Sequence, residues 1–136
     1  MPAPADAVYA AVTDLRARPR WLTEMSDVEA PPGPVEPGTR FSANSALLLH
    51  TFHGVSEVQA ADGGTSLVEE VHIGARFHST WTIEPTATGS VLRHRIDVDL
   101  PTGPLGWLAR AVLGWRLRRM TRHSLAVLAD RLSRAA

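Results

Sequence analysis

The chain has no cysteine, so disulfides and thiolate metal sites are excluded. It also has no lysine: all 14 basic residues are arginine. With the abundant alanine, that bias reads as the codon usage of a G+C-rich bacterial genome. No apolar run reaches the ~18 residues of a membrane span. The first residues, MPAPADAVYAAV, lack a basic start and a continuous apolar stretch, so a signal peptide is not expected and the cytoplasm is the expected location. Aromatic residues are sparse at 6%, but four of them are tryptophan. Net charge is zero, with 14 basic and 14 acidic residues.

That zero conceals a division along the chain. Residues 1–100 carry seven Arg against thirteen Asp/Glu, whereas residues 101–136 carry seven Arg against the single acid Asp130. At 136 residues the expectation is one domain spanning 1–136, large enough to bury roughly two-thirds of its unfolded surface around a core and a modest cavity.

Hydrophobic periodicity changes character twice. Pro4 to Val12 reads as a helix with Val8 and Val12 on one face, and a short second helix fits Leu15 to Leu22, with Trp21 and Leu22 as an apolar anchor. Ala30 to Gly38, rich in proline and glycine, reads as a loop. Five strand-like runs follow: Thr39 to about Asn44, His50 to Ala60, Thr65 to Ile73, Ala75 to Glu84 and Ser90 to Leu100. Asp62-Gly63-Gly64 is a hairpin signal, and Thr86-Ala87-Thr88-Gly89 is another turn. A turn is expected within Asn44–Leu48, where no dipeptide fixes it. Short connections of this kind imply an antiparallel meander. From about Pro104 to Arg134 the pattern is helical, and a helix of about 30 residues is ~45 Å long.

Alternation assigns the faces. Leu92, His94, Ile96, Val98 and Leu100 point one way and Arg93, Arg95, Asp97 and Asp99 the other. Phe77, Ser79, Trp81 and Ile83 point inward on the preceding strand. Leu67, Val71 and Ile73 face inward and take Glu69 with them. The run from His50 is ambiguous, and a bulge near Val55 would change its register. On the long helix, Leu105, Ala109, Leu113, Leu117, Met120, Ser124, Leu128 and Leu132 form the stripe that would lie on the sheet. Trp107, Leu108, Val112 and Trp115 make a second apolar patch on other sides of the helix's first half, interleaved with arginine.

His94 and Glu69 are the sharpest candidate site residues, because each is a titratable group on an otherwise apolar inward face. An imidazole there needs a partner, and a His with a Glu would serve as a general acid/base pair. The bland alternative is a histidine satisfied within the sheet. Phe41, Phe77, Ser79, Trp81, Leu92, Ile96, Leu117, Met120, Ser124 and Leu128 complete the candidate lining; without a cavity they are simply core. The six histidines, His50, His53, His72, His78, His94 and His123, show neither HExxH nor H-x-H spacing, so no metal and no cofactor is expected. No nucleophile elbow or phosphate loop is present. Arg110, Arg116, Arg118, Arg119 and Arg122, with Trp107 and Trp115, fit either a solvated outer face or a contact with anionic membrane. Nucleic acid is not expected, because no recognition motif accompanies the basic patch.

The order of motifs resembles a known family. APADAVYAAVTDL, RPRWL, PGTRF, GVSEV, the Gly-Ser turn before VLRHRIDVDLP and the long final helix are similar to the START-related superfamily, in its bacterial polyketide cyclase/dehydrase and lipid-transport group. The resemblance covers essentially the whole chain. It implies an α+β helix-grip fold: a curved antiparallel sheet wrapped around the C-terminal helix, with two small helices closing one end. It implies binding of a hydrophobic or aromatic small molecule, lipid or polyketide-like, between sheet and helix; some members add cyclase, dehydratase or hydrolase chemistry. Family members carry a strand before the Ala-Pro-Ala-Asp helix, and Met1 falls where that strand should end. The expectation is an N-terminal edge strand that is missing or truncated. Three readings stay open: a small-molecule container, a cyclase or dehydratase using His94 and Glu69, and an interaction module using the basic helix.

Overall fold

In a computed structural model, which describes residues 3–47, 50–73, 75–99 and 104–135, two short helical elements, a run of strands and a long helix follow in the expected order, with one strand more than the five expected. Helix α1 (Ala5–Thr13) is followed by a 3₁₀ segment (Leu15–Arg20) and six strands: β1 (Met25–Glu29), β2 (Arg40–Leu47), β3 (His50–Asp62), β4 (Ser66–Ile73), β5 (Ala75–Thr86) and β6 (Gly89–Asp99). Helix α2 (Pro104–Ala135) ends the chain with 32 residues. The strands form one antiparallel sheet in sequence order, β1 to β6. This is the curved sheet and long C-terminal helix of a helix-grip fold.

Side chains sort as alternation requires. Phe77, Ser79, Trp81 and Ile83 on β5 and Leu67 and Glu69 on β4 are buried. Leu92, His94, Ile96 and Val98 of β6 are only half-buried, because β6 ends the sheet and has β5 as its partner strand. The core gathers Val8 and Val12 of α1, Leu15, Trp21, Phe41, Val58, Leu67, Trp81 and Ile83, with Leu128 of α2 closing it. The Trp21 and Trp81 rings meet edge to face, centroids 5.6 Å apart at 82°, a geometry worth about 0.5–1.5 kcal/mol beyond area burial.

Three features differ from the sequence reading. Met25–Glu29 is a strand, which the sequence did not signal. It is short and largely exposed, its register with β2 shifts between Ser26 and Glu29, and Asp27 sits at φ 51, so no alternation survives to be read. The irregularity in β3 falls between Val58 and Ala60 rather than near Val55. The turn expected within Asn44–Leu48 is not made by Asn44 to Leu47, which stay in β2, paired with His53 to His50, so that strand runs longer than its alternation suggested. Leu48, Gly74, Leu100, Pro101 and Gly103 lie outside the described residues, as do the side chains of His50, Leu105, Trp107, Leu108, Ala109, Arg110, Val112 and Leu113. No helix among the described residues is long and apolar enough to cross a membrane.

Gly54 holds β3 close to the end of β4. A Cβ there would lie 2.4 Å from Ile73 Cγ1 and 2.8 Å from Ile73 Cδ1. Gly54→Ala is therefore expected to cost about 1–3 kcal/mol by overpacking, read by urea unfolding. Unchanged stability would mean that Ile73 has room to turn away.

Candidate functional site

The 3₁₀ segment places a charged residue in the core. At three residues per turn, side chains at i, i+3 and i+6 stack on one face. Leu15, Arg18 and Trp21 have that spacing, and all three are buried, Arg18 to 1% exposure. Its guanidinium reaches Glu69 on the inward face of β4. Nη1 donates to Oε2 at 3.1 Å and Nη2 donates to Oε1, a fork-on-fork pair. Nε donates to the Val12 carbonyl at 3.0 Å, tying the pair to the end of α1. Phe41 and Trp81 lie 5.5 and 5.6 Å from the guanidinium carbon, so aromatic faces cover the cation.

His94 sits one strand pair away. It is opposite Trp81 in the β5–β6 ladder, and the rings stack with centroids 3.6 Å apart at 5°. The diagonal neighbour Ser79 hydrogen-bonds through Oγ to His94 Nε2 at 2.6 Å. Burial, aided by the nearby Arg18 charge, pushes the His94 pKa down from 6.5 to about 3. The imidazole is therefore neutral at pH 7. Its Nδ1 is buried and has no protein partner, and neither does Ser124 Oγ on the facing helix.

Between these groups lies a cavity of about 150 Å³. Its floor is Val71, Ile73, Phe77 and Ile96 of the sheet, and its roof is Leu117, Met120, Thr121 and Ser124 of α2. Leu22, Glu24, Met25 and Ser45 close one end. Glu69, Ser79, Trp81 and His94, all named from the sequence, border it too. Phe41, Leu92 and Leu128 do not: Phe41 and Leu128 belong to the core cluster and Leu92 packs against it. Alternation identifies the inward face but not how far along a strand the cavity extends.

His94 and Glu69 do not make the acid/base pair that their shared inward orientation suggested. Both Glu69 oxygens are taken by Arg18, and the imidazole is bonded to Ser79. The sequence reading missed Arg18. Its signal was the spacing of Leu15 and Trp21 either side of an arginine, together with a buried carboxylate that needed a counter-ion. The other described histidines, His53, His72, His78 and His123, are exposed. His72 Nε2 and Arg76 Nε lie 3.0 and 3.1 Å from Glu70 on the outer face of the sheet. Among the described residues no group of three metal-ligating side chains comes together.

The arginines of α2 separate by exposure. Arg118, Arg119 and Arg122 are exposed, whereas Arg116 is half-buried with its Nε unpartnered. Trp115 is 61% exposed.

A family model described as polyketide cyclase/dehydrase and lipid transport matches residues 1–133. No curated protein sequence matches the chain. Solved structures share the fold at low identity. A protein from Thermus thermophilus is 20% identical with a TM-score of 0.82, covering 100% of this chain and 94% of that one. A protein from Rhodobacter sphaeroides is 18% identical with a TM-score of 0.76, covering 100% and 89%. A START superfamily protein from Mycobacterium smegmatis is 15% identical with a TM-score of 0.75, covering 100% and 94%.

Proposed function

The chain belongs to the polyketide cyclase/dehydrase and lipid transport family, and from that premise we propose that it binds a compact, uncharged, mainly apolar ring compound between the sheet and α2. The observation that carries this reading is the cavity's wall: aliphatic and aromatic side chains surround a few polar atoms, the usual make-up of a small-molecule site. A volume of about 150 Å³ is that of a cavity able to take benzene, so a single ring fits better than a long lipid chain. The polar atoms fix the orientation. His94 Nδ1 on the sheet and Ser124 Oγ on the helix each lack a partner, and a ligand hydroxyl, able both to donate and to accept, suits such a pair.

Charge sets the second restriction. The Arg18 cation is already matched by Glu69, and the His94 imidazole is neutral. An anionic ligand would find no free cation in the cavity, where the carboxylate of Glu24 also stands at one end, and would lose its hydration. The same facts favour a container over an acid/base enzyme, since an imidazole that stays neutral down to about pH 3 is a weak base at pH 7.

The test is thermal unfolding in the presence of phenol, benzene and benzoate. Phenol is expected to raise the melting temperature most, benzene less, and benzoate not at all. Ligand at a hundred times its Kd adds about 2.7 kcal/mol, enough to read. Met120→Trp or Leu117→Trp should fill the space and remove the phenol shift at modest cost in stability. If no compound shifts the wild type and either substitution costs about 1–3 kcal/mol, the space is solid core and the reading fails.

A further inference from the structure

The outer face of α2 carries a feature the cavity does not explain. At ~100° per residue, Ala111, Trp115, Arg118, Arg119 and Arg122 fall within about 100° of arc, opposite the side where Ser124 and Leu128 are buried. All five are exposed. Trp115, at 61%, is the most exposed of the large hydrophobic residues described. The Arg119 guanidinium lies 5.7 Å from its ring centre. Among the described residues no carboxylate pairs with Arg118, Arg119 or Arg122. The one acid of residues 101–136, Asp130, pairs instead with Arg134 at 3.1 Å. The acids that balance the protein's charge lie almost entirely in residues 1–100. The result is a face with concentrated positive charge and an uncovered indole at its middle.

We propose that this face of α2 docks on an anionic lipid surface. The helix lies along the membrane plane, Trp115 seats at the headgroup level, and Arg118, Arg119 and Arg122 reach lipid phosphates. An indole has an apolar body and one N–H donor, which is why tryptophan gathers at that depth. Arginine stems bury along apolar surface while the guanidinium stays with the phosphates, and guanidinium forks match phosphate oxygens. Nucleic acid is the less favoured partner, because no recognition motif accompanies the arginines and the exposed indole of Trp115 suits a headgroup layer. The acidic remainder of the chain is repelled by an anionic surface, so the separation of charge orients the molecule with α2 toward the lipid. This contact does not depend on what the cavity holds.

The experiment is co-sedimentation of the full chain with vesicles of phosphatidylcholine alone and of equal parts phosphatidylcholine and phosphatidylglycerol. Binding is expected only to the mixed vesicles, weakening as salt rises. Each arginine near such a surface is worth about five-fold in partitioning. The triple variant Arg118→Gln, Arg119→Gln, Arg122→Gln should therefore bind on the order of a hundred-fold more weakly. Trp115→Ala should weaken the binding that persists at high salt. All four positions are exposed, and matching melting curves establish that the variants fold. Equal binding to both vesicle types, no binding at low salt, an unaffected triple variant, or displacement from vesicles by duplex DNA at the same salt would each overturn the proposal.

Discussion

Arg18→Met is expected to cost about 3–5 kcal/mol of unfolding free energy, a large share of the ~5–15 kcal/mol by which an ordinary domain is stable. The guanidinium holds both oxygens of a carboxylate that is 2% exposed and also accounts for the Val12 carbonyl. Methionine fills similar space but leaves Glu69 ionised in the core or forces it to take up a proton. Glu69→Gln should cost less than Arg18→Met, because arginine keeps Val12 and the aromatic faces of Phe41 and Trp81. The informative variant is the double change Arg18→Met with Glu69→Met. Buried ion pairs replaced by apolar residues are often close to neutral, so most of the loss should return, leaving about 1–3 kcal/mol for the unpaired Val12 carbonyl. Urea unfolding of the three variants reads this directly. If Arg18→Met costs less than about 1 kcal/mol, the pair is solvated in the working protein and does not anchor the 3₁₀ segment to the sheet.

That ion pair also shows what a sequence can and cannot disclose. Strand faces were legible because a period of two leaves one solution wherever one face is buried. Phe77, Ser79, Trp81 and Ile83 all lie on the inward side, and the same parity placed Glu69 and His94 inside. Parity says nothing about which inward groups meet. Arg18 and Glu69 are 51 positions apart, and their contact depends on how the chain returns over the end of the sheet after α1. His94 pairs with Ser79 because the β5–β6 register sets it opposite Trp81, one step along; a register slipped by two residues would keep every face and change every partner. β1 was illegible for a different reason. An exposed, bulged edge strand has no buried face to repeat. The outer arc of α2 was partly legible: the arginines were plain, but which of them face water follows from helix rotation, and Arg116 turns away from Arg118, Arg119 and Arg122.

The pH dependence of stability should carry the mark of His94. The groups around it are Ser79 and Trp81 from β5, Arg18 and Glu69 held to each other, and Thr121 and Ser124 from α2. None is a free carboxylate that would welcome an imidazolium. The native state therefore resists protonation down to about pH 3, whereas the unfolded chain takes up the proton near pH 6.5. Between those values the unfolded state binds more protons, so stability rises with pH. The contribution is fully present above pH 6.5 and is lost as pH falls toward 3. At about 1.4 kcal/mol per pH unit, the interval carries at most about 5 kcal/mol. β6 is half-buried rather than sealed, and partial hydration of the ring should bring the loss to about half of that. His94→Gln keeps a polar group near Ser79 and removes the titration. Urea unfolding at pH 7, 6, 5 and 4 should show the wild type losing stability more steeply than the variant, with the two curves converging as pH falls. The variant should also bind phenol more weakly at pH 7, since the Nδ1 partner is gone. Parallel curves would mean that other groups set the acid limb and that the imidazole reaches solvent through the edge of the sheet. A flattened curve with unchanged phenol affinity would leave His94 as a packing residue on Trp81, with the ligand held by other groups.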